Sequence, residues 1–240
     1  MFRHNETSTA STHTIPFLML AWYAALFVTL AINPEDQKVW WTINILPLAF
    51  VSALIGTRRL MPLSNASYVL ITVWLTLHTV AAYYTYPKVP VGLWLDHWFH
   101  FHRNHFDRIV HFSFGFFLTL PLAEVFRRRC GVKGWMLPYM VVITVLGFSA
   151  FWEMIEAWAG QIAHPDLERA LVGHQGDVWD PQHDMAAAFY GSLLCIGILT
   201  LLRKLHEPES DQEDASIFEE VGSMQPVLAM STSADLEQRK

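Results

Sequence analysis

Apolar residues arrive in this chain as long, nearly unbroken runs rather than as the single stripe of a soluble amphipathic helix. A helix that is hydrophobic on every side belongs in a large core or in a membrane. A spanning helix needs roughly 20 mostly apolar residues. About six segments qualify: 15–32, 40–56, 66–86, 107–126, 134–159 and 184–202. The second is short and contains Pro47, which packed neighbours can accommodate by satisfying the backbone groups that proline frees. The pattern predicts an all-α polytopic membrane helix bundle of about six transmembrane helices. A polar N-terminal tail (1–14) precedes the membrane domain (15–204), and an acidic tail (205–240) follows it. The polar head is weakly charged and no small-residue cleavage site follows the first run, so that run reads as a retained helix.

Composition supports the membrane class. The chain is 52% hydrophobic and only 16% charged, with a mean hydropathy of +0.26, whereas soluble domains carry about a quarter charged residues. Basic residues set the expected orientation. Arg58 and Arg59, then Arg127, Arg128, Arg129 and Lys133, then Arg203 and Lys204 occupy alternate connections. The positive-inside rule places those connections and both termini in the cytoplasm. The net charge of −6 comes from the tail: from Glu207 onward it holds nine acidic residues against Arg239 and Lys240, leaving 13 acidic and 14 basic in the rest. Such a tail reads as a disordered extension. Cys130 and Cys195 fall in different environments, which argues against a disulfide, and no cysteine-based metal spacing is present.

Three acidic fragments carry the candidate chemistry. Asp107, Arg108 and His111 open the fourth run, Glu153 and Glu156 lie near the end of the fifth, and Asp177, Asp180, His183 and Asp184 open the sixth. On the expected topology all of them, with His78 of the third run, reach the outer leaflet. Asp107 and His111 share a helix face at i and i+4, as do Glu153 and Glu156 at i and i+3. Structural readings compete. Asp180 before Pro181 makes a good helix N-cap, Asp107 at a helix start gains from the macrodipole, and His111 suits a hydrogen-bonded core position. Glu153 and Glu156 fit such readings least. Acidic residues at membrane depth cost roughly 2.5–3.5 kcal/mol each on insertion scales; these two need protons, Arg108 or a cation. Histidine with carboxylates suits Zn, Mn or Fe, while an all-oxygen subset suits Mg or Ca. Coupled protonation is the rival. At the other end of the membrane, Glu124 can pair with Arg127 or Arg128.

Two further stretches stand out. From Trp94 to His105 four histidines alternate with aromatics, which reads as an interfacial segment and alternatively as metal capture or pH sensing. Between Gln161 and His183, His164-Pro165-Asp166 resembles a cap before a short helix at 167–172 that Gly173 stops. Gly176 then permits a tight turn, so that Asp177 can fold back over the helix ends as part of a lid.

At these residues the sequence resembles the YjdF family of predicted bacterial inner-membrane proteins, a domain family of unknown function. The resemblance covers about 40–202. It rests on Leu77-His78 with Tyr84-Thr85-Tyr86 and Val89-Pro90, on 103–108 with His111-Phe112, on 149–156, and on 173–180 with Gln182, Asp184 and Met185. The family pattern often has a histidine where this chain has Tyr83. The order of Asp107, Arg108 and His111, then a glutamate-bearing helix, then an acidic helix start is also loosely similar to VanZ-like membrane proteins. The resemblance implies a multi-pass protein of the bacterial inner (plasma) membrane and no demonstrated activity.

Three functions compete. One is a metal-assisted hydrolase or transferase on a lipid or envelope substrate. In it one divalent cation is held by His111, Glu153 and Asp184, with Asp107 and His78 as further donors. Glu156 or Asp177 is the general base, and Arg108 steadies an anionic head group. The second is a cation- or proton-coupled transporter, weakened because the inner halves of the last three runs offer mostly Ser, Thr, Gly and apolar residues. The third is a non-catalytic scaffold or sensor whose polar cluster locks helices together. Membrane lipid is the expected partner and nucleic acid is not; the sequence does not give the oligomeric state.

Overall fold

The computed structural model describes residues 11–162 and 175–206. The expectations for 1–10, for the short helix at 167–172 and for the tail from Glu207 lie outside the described residues. The elements are α1 (Ser11–Ala31), α2 (Gln37–Thr57), α3 (Asn65–Tyr84), a 3₁₀ turn (Tyr86–Lys88), α4 (Pro90–Phe99), α5 (Phe106–Arg129), α6 (Met136–Ile162) and α7 (Asp180–His206). All but α4 and the 3₁₀ turn are long and apolar enough to cross a membrane, which gives six candidate spans among the described residues. The chain divides into a unit at 1–199, described below, and a second at 200–240, described only through His206.

Caps explain where the boundaries move from the hydropathy reading. Asp36 accepts from the Lys38 and Val39 N–H groups at 2.8 and 3.0 Å, so α2 begins at Gln37, three residues before its apolar run. Pro47 sits buried inside α2. Ser64 caps α3 through the Ser67 N–H. That end is secured from α5: the buried Glu124 carboxylate accepts from the Ser64 N–H at 2.8 Å and the Ser67 hydroxyl at 3.0 Å. Arg128 lies 3.6 Å from it, so the pairing expected of Glu124 is present and is one part of a helix cap. At the other end α3 stops at Tyr84 because Thr85 takes φ +58°. A β-branched residue there costs of order 1–3 kcal/mol. The bend returns Tyr86 onto His78, with the Tyr86 hydroxyl 2.7 Å from His78 Nδ1. A core of Val39, Trp40, Ala81, Ala82, Tyr86, Val89, Phe106 and Val110 packs beneath this bend.

The stretch from Trp94 to His105 forms most of α4 and the link to α5. Trp94, Trp98 and Phe99 are exposed, as are His97, His100 and His102. The segment thus carries exposed aromatic and imidazole rings side by side. Gly92 lets α4 settle on the buried Asn104, because a Cβ there would stand 1.6 Å from Asn104 Oδ1.

Small residues join α5 to α7. A Cβ on Gly115 would fall 1.8 Å from the Ala188 carbonyl oxygen, and one on Gly191 would fall 2.1 Å from that of Phe112. Thr119 Oγ1 and Ser192 Oγ meet at 2.8 Å, both buried. This is backbone-to-backbone packing of the kind membrane helices use in place of a hydrophobic driving force. We expect Gly115→Ala to destabilise the purified protein by about 1–3 kcal/mol, since the obstructing atom is backbone. Gly147→Ala, where a Cβ meets nothing within 4 Å, should leave the thermal midpoint in detergent unchanged.

Candidate functional site

The C-terminal ends of α3 and α6 and the N-terminal ends of α5 and α7 come together, and their polar residues separate into two groups. The first is a clasp. Arg103, just before α5, forms a bidentate pair with Asp180, the first residue of α7. Both side chains are buried, at 8% and 4% exposure. Arg108 pairs with Asp177 and reaches Asp180 at 3.4 Å. His183 Nδ1 lies 2.9 Å from the Asp177 carboxylate. Gln175 (φ +46°) and Gly176 (φ +90°) make the tight turn that aims this segment back at α5. The Gln175 side chain accepts from the Asn104 N–H at 3.0 Å and donates to the Asn104 carbonyl at 3.1 Å. Asn104 Nδ2 donates to the Pro87 and Val89 carbonyls, each at 3.0 Å, and its Oδ1 accepts from the Phe106 N–H. One buried residue therefore fixes the 3₁₀ turn and the start of α5 through its side-chain amide and the 175–180 segment through its backbone.

The second group is a ring of donors beneath the clasp. His111, Glu153 and Asp184 place donor atoms within 4.8 Å of one another, and so do Asp107, Asp180 and Asp184. His111 Nδ1 lies 3.3 Å from the Ser149 hydroxyl. Its Nε2 is 3.3 Å from Glu153 Oε1 and 3.6 Å from Asp107 Oδ1. Asp184 is 2% exposed. Its Oδ1, like Glu153 Oε1, is a buried oxygen with no hydrogen-bond partner. Buried polar atoms without partners are rare and costly. Two of them beside an imidazole held from behind form a concave set of donors that a cation would satisfy.

The sequence-expected residues divide between these surroundings. Asp107, His111, Glu153 and Asp184 meet in the ring. Glu156 lies one turn beyond Glu153, where its carboxylate accepts from Trp152 Nε1 at 2.6 Å; it belongs to neither donor set. His78 is buried against Tyr86 and edge-on to Trp152, with centroids 5.5 Å apart, and lies outside both sets. Arg108 and Asp177 are committed to one another rather than to Glu153 or Glu156. Asp180 stands at the first position of α7 with its side chain turned to Arg103 and Arg108, so a plain capping role does not describe it. The cap-like contact comes from Asp177, whose Oδ1 accepts from the Trp179 N–H at 3.0 Å. Arg103, Asn104 and Gln175 were not among the candidate residues, although each lies in a block that carries the family resemblance. An asparagine two residues before a helix is a turn and capping signal, and it was available at Asn104.

Charges near the surface respond to this arrangement. Asp177 titrates at about 2, below its usual 3.8, because the Trp179 N–H, His183 and Arg108 all favour the carboxylate. Burial lowers His105, and the Arg108 and Arg103 guanidiniums add to the effect; Arg108 Nη1 lies 3.2 Å from His105 Nδ1. Burial drives the Tyr86 hydroxyl well above its ordinary range, and the carboxylates of Asp107, Glu156, Asp184 and Glu153 push it the same way.

Comparisons with known proteins agree with this architecture. The family model described as "Predicted membrane protein (DUF2238)" matches residues 15–205. The inner membrane protein YjdF of Escherichia coli (strain K12) is 35% identical over 173 residues, covering 71% of this chain and 82% of the relative. No solved structure matches.

Two outcomes follow from the clasp. Asp180→Ala leaves the buried Arg103 guanidinium with Asp177 at 3.5 Å, so the loss should fall near the low end of the range for a broken buried pair, about 3 kcal/mol, read as thermal stability in detergent. The Asp177 carboxylate is favoured in the folded state, so its contribution is complete above pH 3.8 and is lost as pH falls through about 2. Amide protection factors at 175–180 should fall over that window in the wild type. In Asp177→Asn they should already be low at pH 6.

Proposed function

This chain belongs to the DUF2238 family of predicted membrane proteins, a multi-pass inner-membrane protein, and we propose that it binds one divalent cation through His111, Glu153 and Asp184 and uses it in hydrolysis or transfer on a lipid or envelope substrate. One observation supports this reading above the others: three donors lie within 4.8 Å, two of them ending in buried oxygens with no hydrogen-bond partner, and Glu153 Oε1 stands 3.3 Å from His111 Nε2. One imidazole with two carboxylates suits zinc, manganese or iron better than calcium. Bound there, the cation would act as a Lewis acid toward a phosphoryl or acyl oxygen. Ser149, 3.3 Å from His111 Nδ1, would orient the imidazole, and Asp107, 3.6 Å from Nε2, would be a further donor. Glu156, one turn from Glu153, would be the general base. Arg108 and Asp177 would act by closing the clasp over the ring. With both termini cytoplasmic, the site would face the outer leaflet.

The scaffold reading has its own support in the clasp, whose arginines and carboxylates lock α5 to α7. It leaves the unpartnered oxygens of Glu153 and Asp184 without a role. A transport path through α5 and α7 is disfavoured by the backbone contact at Gly115 and Gly191, which leaves no room for an ion between those helices.

Elemental analysis of the full chain, purified without chelator, should find about one zinc, manganese or iron per chain, and none in Asp184→Asn or Glu153→Gln. Adding Mn²⁺ or Zn²⁺ to stripped protein at about a hundredfold over Kd should stabilise the wild type by about 2.7 kcal/mol and leave Asp184→Asn unmoved. A metal-free wild type that becomes more stable as Asp184→Asn would overturn the proposal in favour of a proton-sharing scaffold.

A further inference from the structure

A cavity of about 400 Å³ lies between α2, α3, α5 and α6 and ends at His111, the one member of the donor ring in its lining. Its lining changes character along its length. At the ring end it is edged by His78, Tyr86, His111 and Ser149, among them the ring's own imidazole and the hydroxyl that holds it. Farther along it is lined by Phe50, Phe114, Leu118 and Leu122. From His111 to Leu122 the α5 wall runs about 16 Å at 1.5 Å per residue. The mouth is on the flank of the bundle: Ala49 and Ala53 of α2, and Phe148 and Phe151 of α6, line the same cavity and are exposed. These residues lie within spanning helices, so what faces the mouth is hydrocarbon.

An apolar cavity with a few polar groups gathered at one end has the form of an amphiphile site, in which the apolar wall takes the chain and the polar end fixes the head. Water gains little in the deep part, since a buried water needs two to four polar partners and Phe50, Phe114, Leu118 and Leu122 supply none. We propose that the cavity holds one hydrocarbon chain of a membrane amphiphile, admitted sideways from the bilayer between α2 and α6. The chain lies along α5 toward Leu122, and its polar head is presented at His111. This extends the cation-site reading by naming the substrate class: a single-chain lipid, or one chain of a larger lipid, whose head lies beside His111. Tyr86, whose hydroxyl lies 2.7 Å from His78 Nδ1, edges the same end of the cavity as His111.

The test uses the full chain in detergent with chelator present, so that chain binding is read without the cation. The probe is a spin-labelled lysophosphatidylcholine with the nitroxide near the methyl end. An immobilised electron paramagnetic resonance component should saturate at about one probe per chain. Ala53→Trp, at the mouth, should weaken that binding about tenfold or more, about 1.4 kcal/mol per decade, with an unchanged thermal midpoint. Ala49→Trp serves as the second blocking variant if the first is poorly folded. Glu153→Gln, which should abolish metal binding, should keep it. No saturable component, or one that survives both blocking variants, overturns the inference whatever the metal result. A saturable, blockable component in a protein that binds no metal removes the cation reading and leaves the chain site standing.

Discussion

A carboxylate taken out of water must find a guanidinium, a proton or a metal ion, because the penalty of leaving it uncompensated is several kcal/mol per charge. That constraint sorts the acidic residues at the α5–α7 end. Asp180 and Asp177 take Arg103 and Arg108. With both arginines engaged, Asp107, Glu153, Glu156 and Asp184 share the buried imidazole of His111, the Trp152 indole N–H and whatever the cell supplies. The clasp is thus more than a lock. It commits the buried Arg103 guanidinium to Asp180 and Arg108 to Asp177, so that the two arginines compensate the clasp's own carboxylates.

Rigid packing makes this distribution possible. Gly115 and Gly191 bring α5 and α7 to backbone contact, which brings Asp107 and His111 close to Asp184. Asn104 and Gln175 fix the connections above them. The strained Thr85 turns Tyr86 back into the same space. Each of these residues lies off the ring and positions it, as the supporting shell of a site with precise geometry must. The cavity along α5 then gives the ring a hydrocarbon-lined approach from one side, while the clasp covers it from another.

Hydropathy alone made the six spans legible, because length and apolar content suffice for a helix in lipid. The i, i+4 spacing of Asp107 and His111 placed them together correctly, since helix periodicity governs neighbours on one element. Relations between elements were harder. His78 has the right depth but the wrong neighbours, because Thr85 bends the chain and gives its Nδ1 to Tyr86. Arg108 was expected to serve Glu153, Glu156 or a ligand, yet the turn at Gln175 and Gly176 delivers Asp177 to it first. Arg103 read as one basic residue in a connection, and its buried partner is 77 positions away. Local sequence signals do not encode pairings of that separation, and the cavity has no sequence signature at all: its walls are ordinary apolar residues of four helices.

The central claim is that the unpartnered oxygens of Glu153 and Asp184 face a cation. It is tested most directly by an experimental density map of the full chain with Mn²⁺ present, read at the anomalous signal of that ion. The account predicts one peak within bonding distance of His111 Nε2, Glu153 and Asp184, absent in Asp184→Asn. A map with no peak there, in which Glu153 and Asp184 instead close a hydrogen bond through a shared proton, would contradict it.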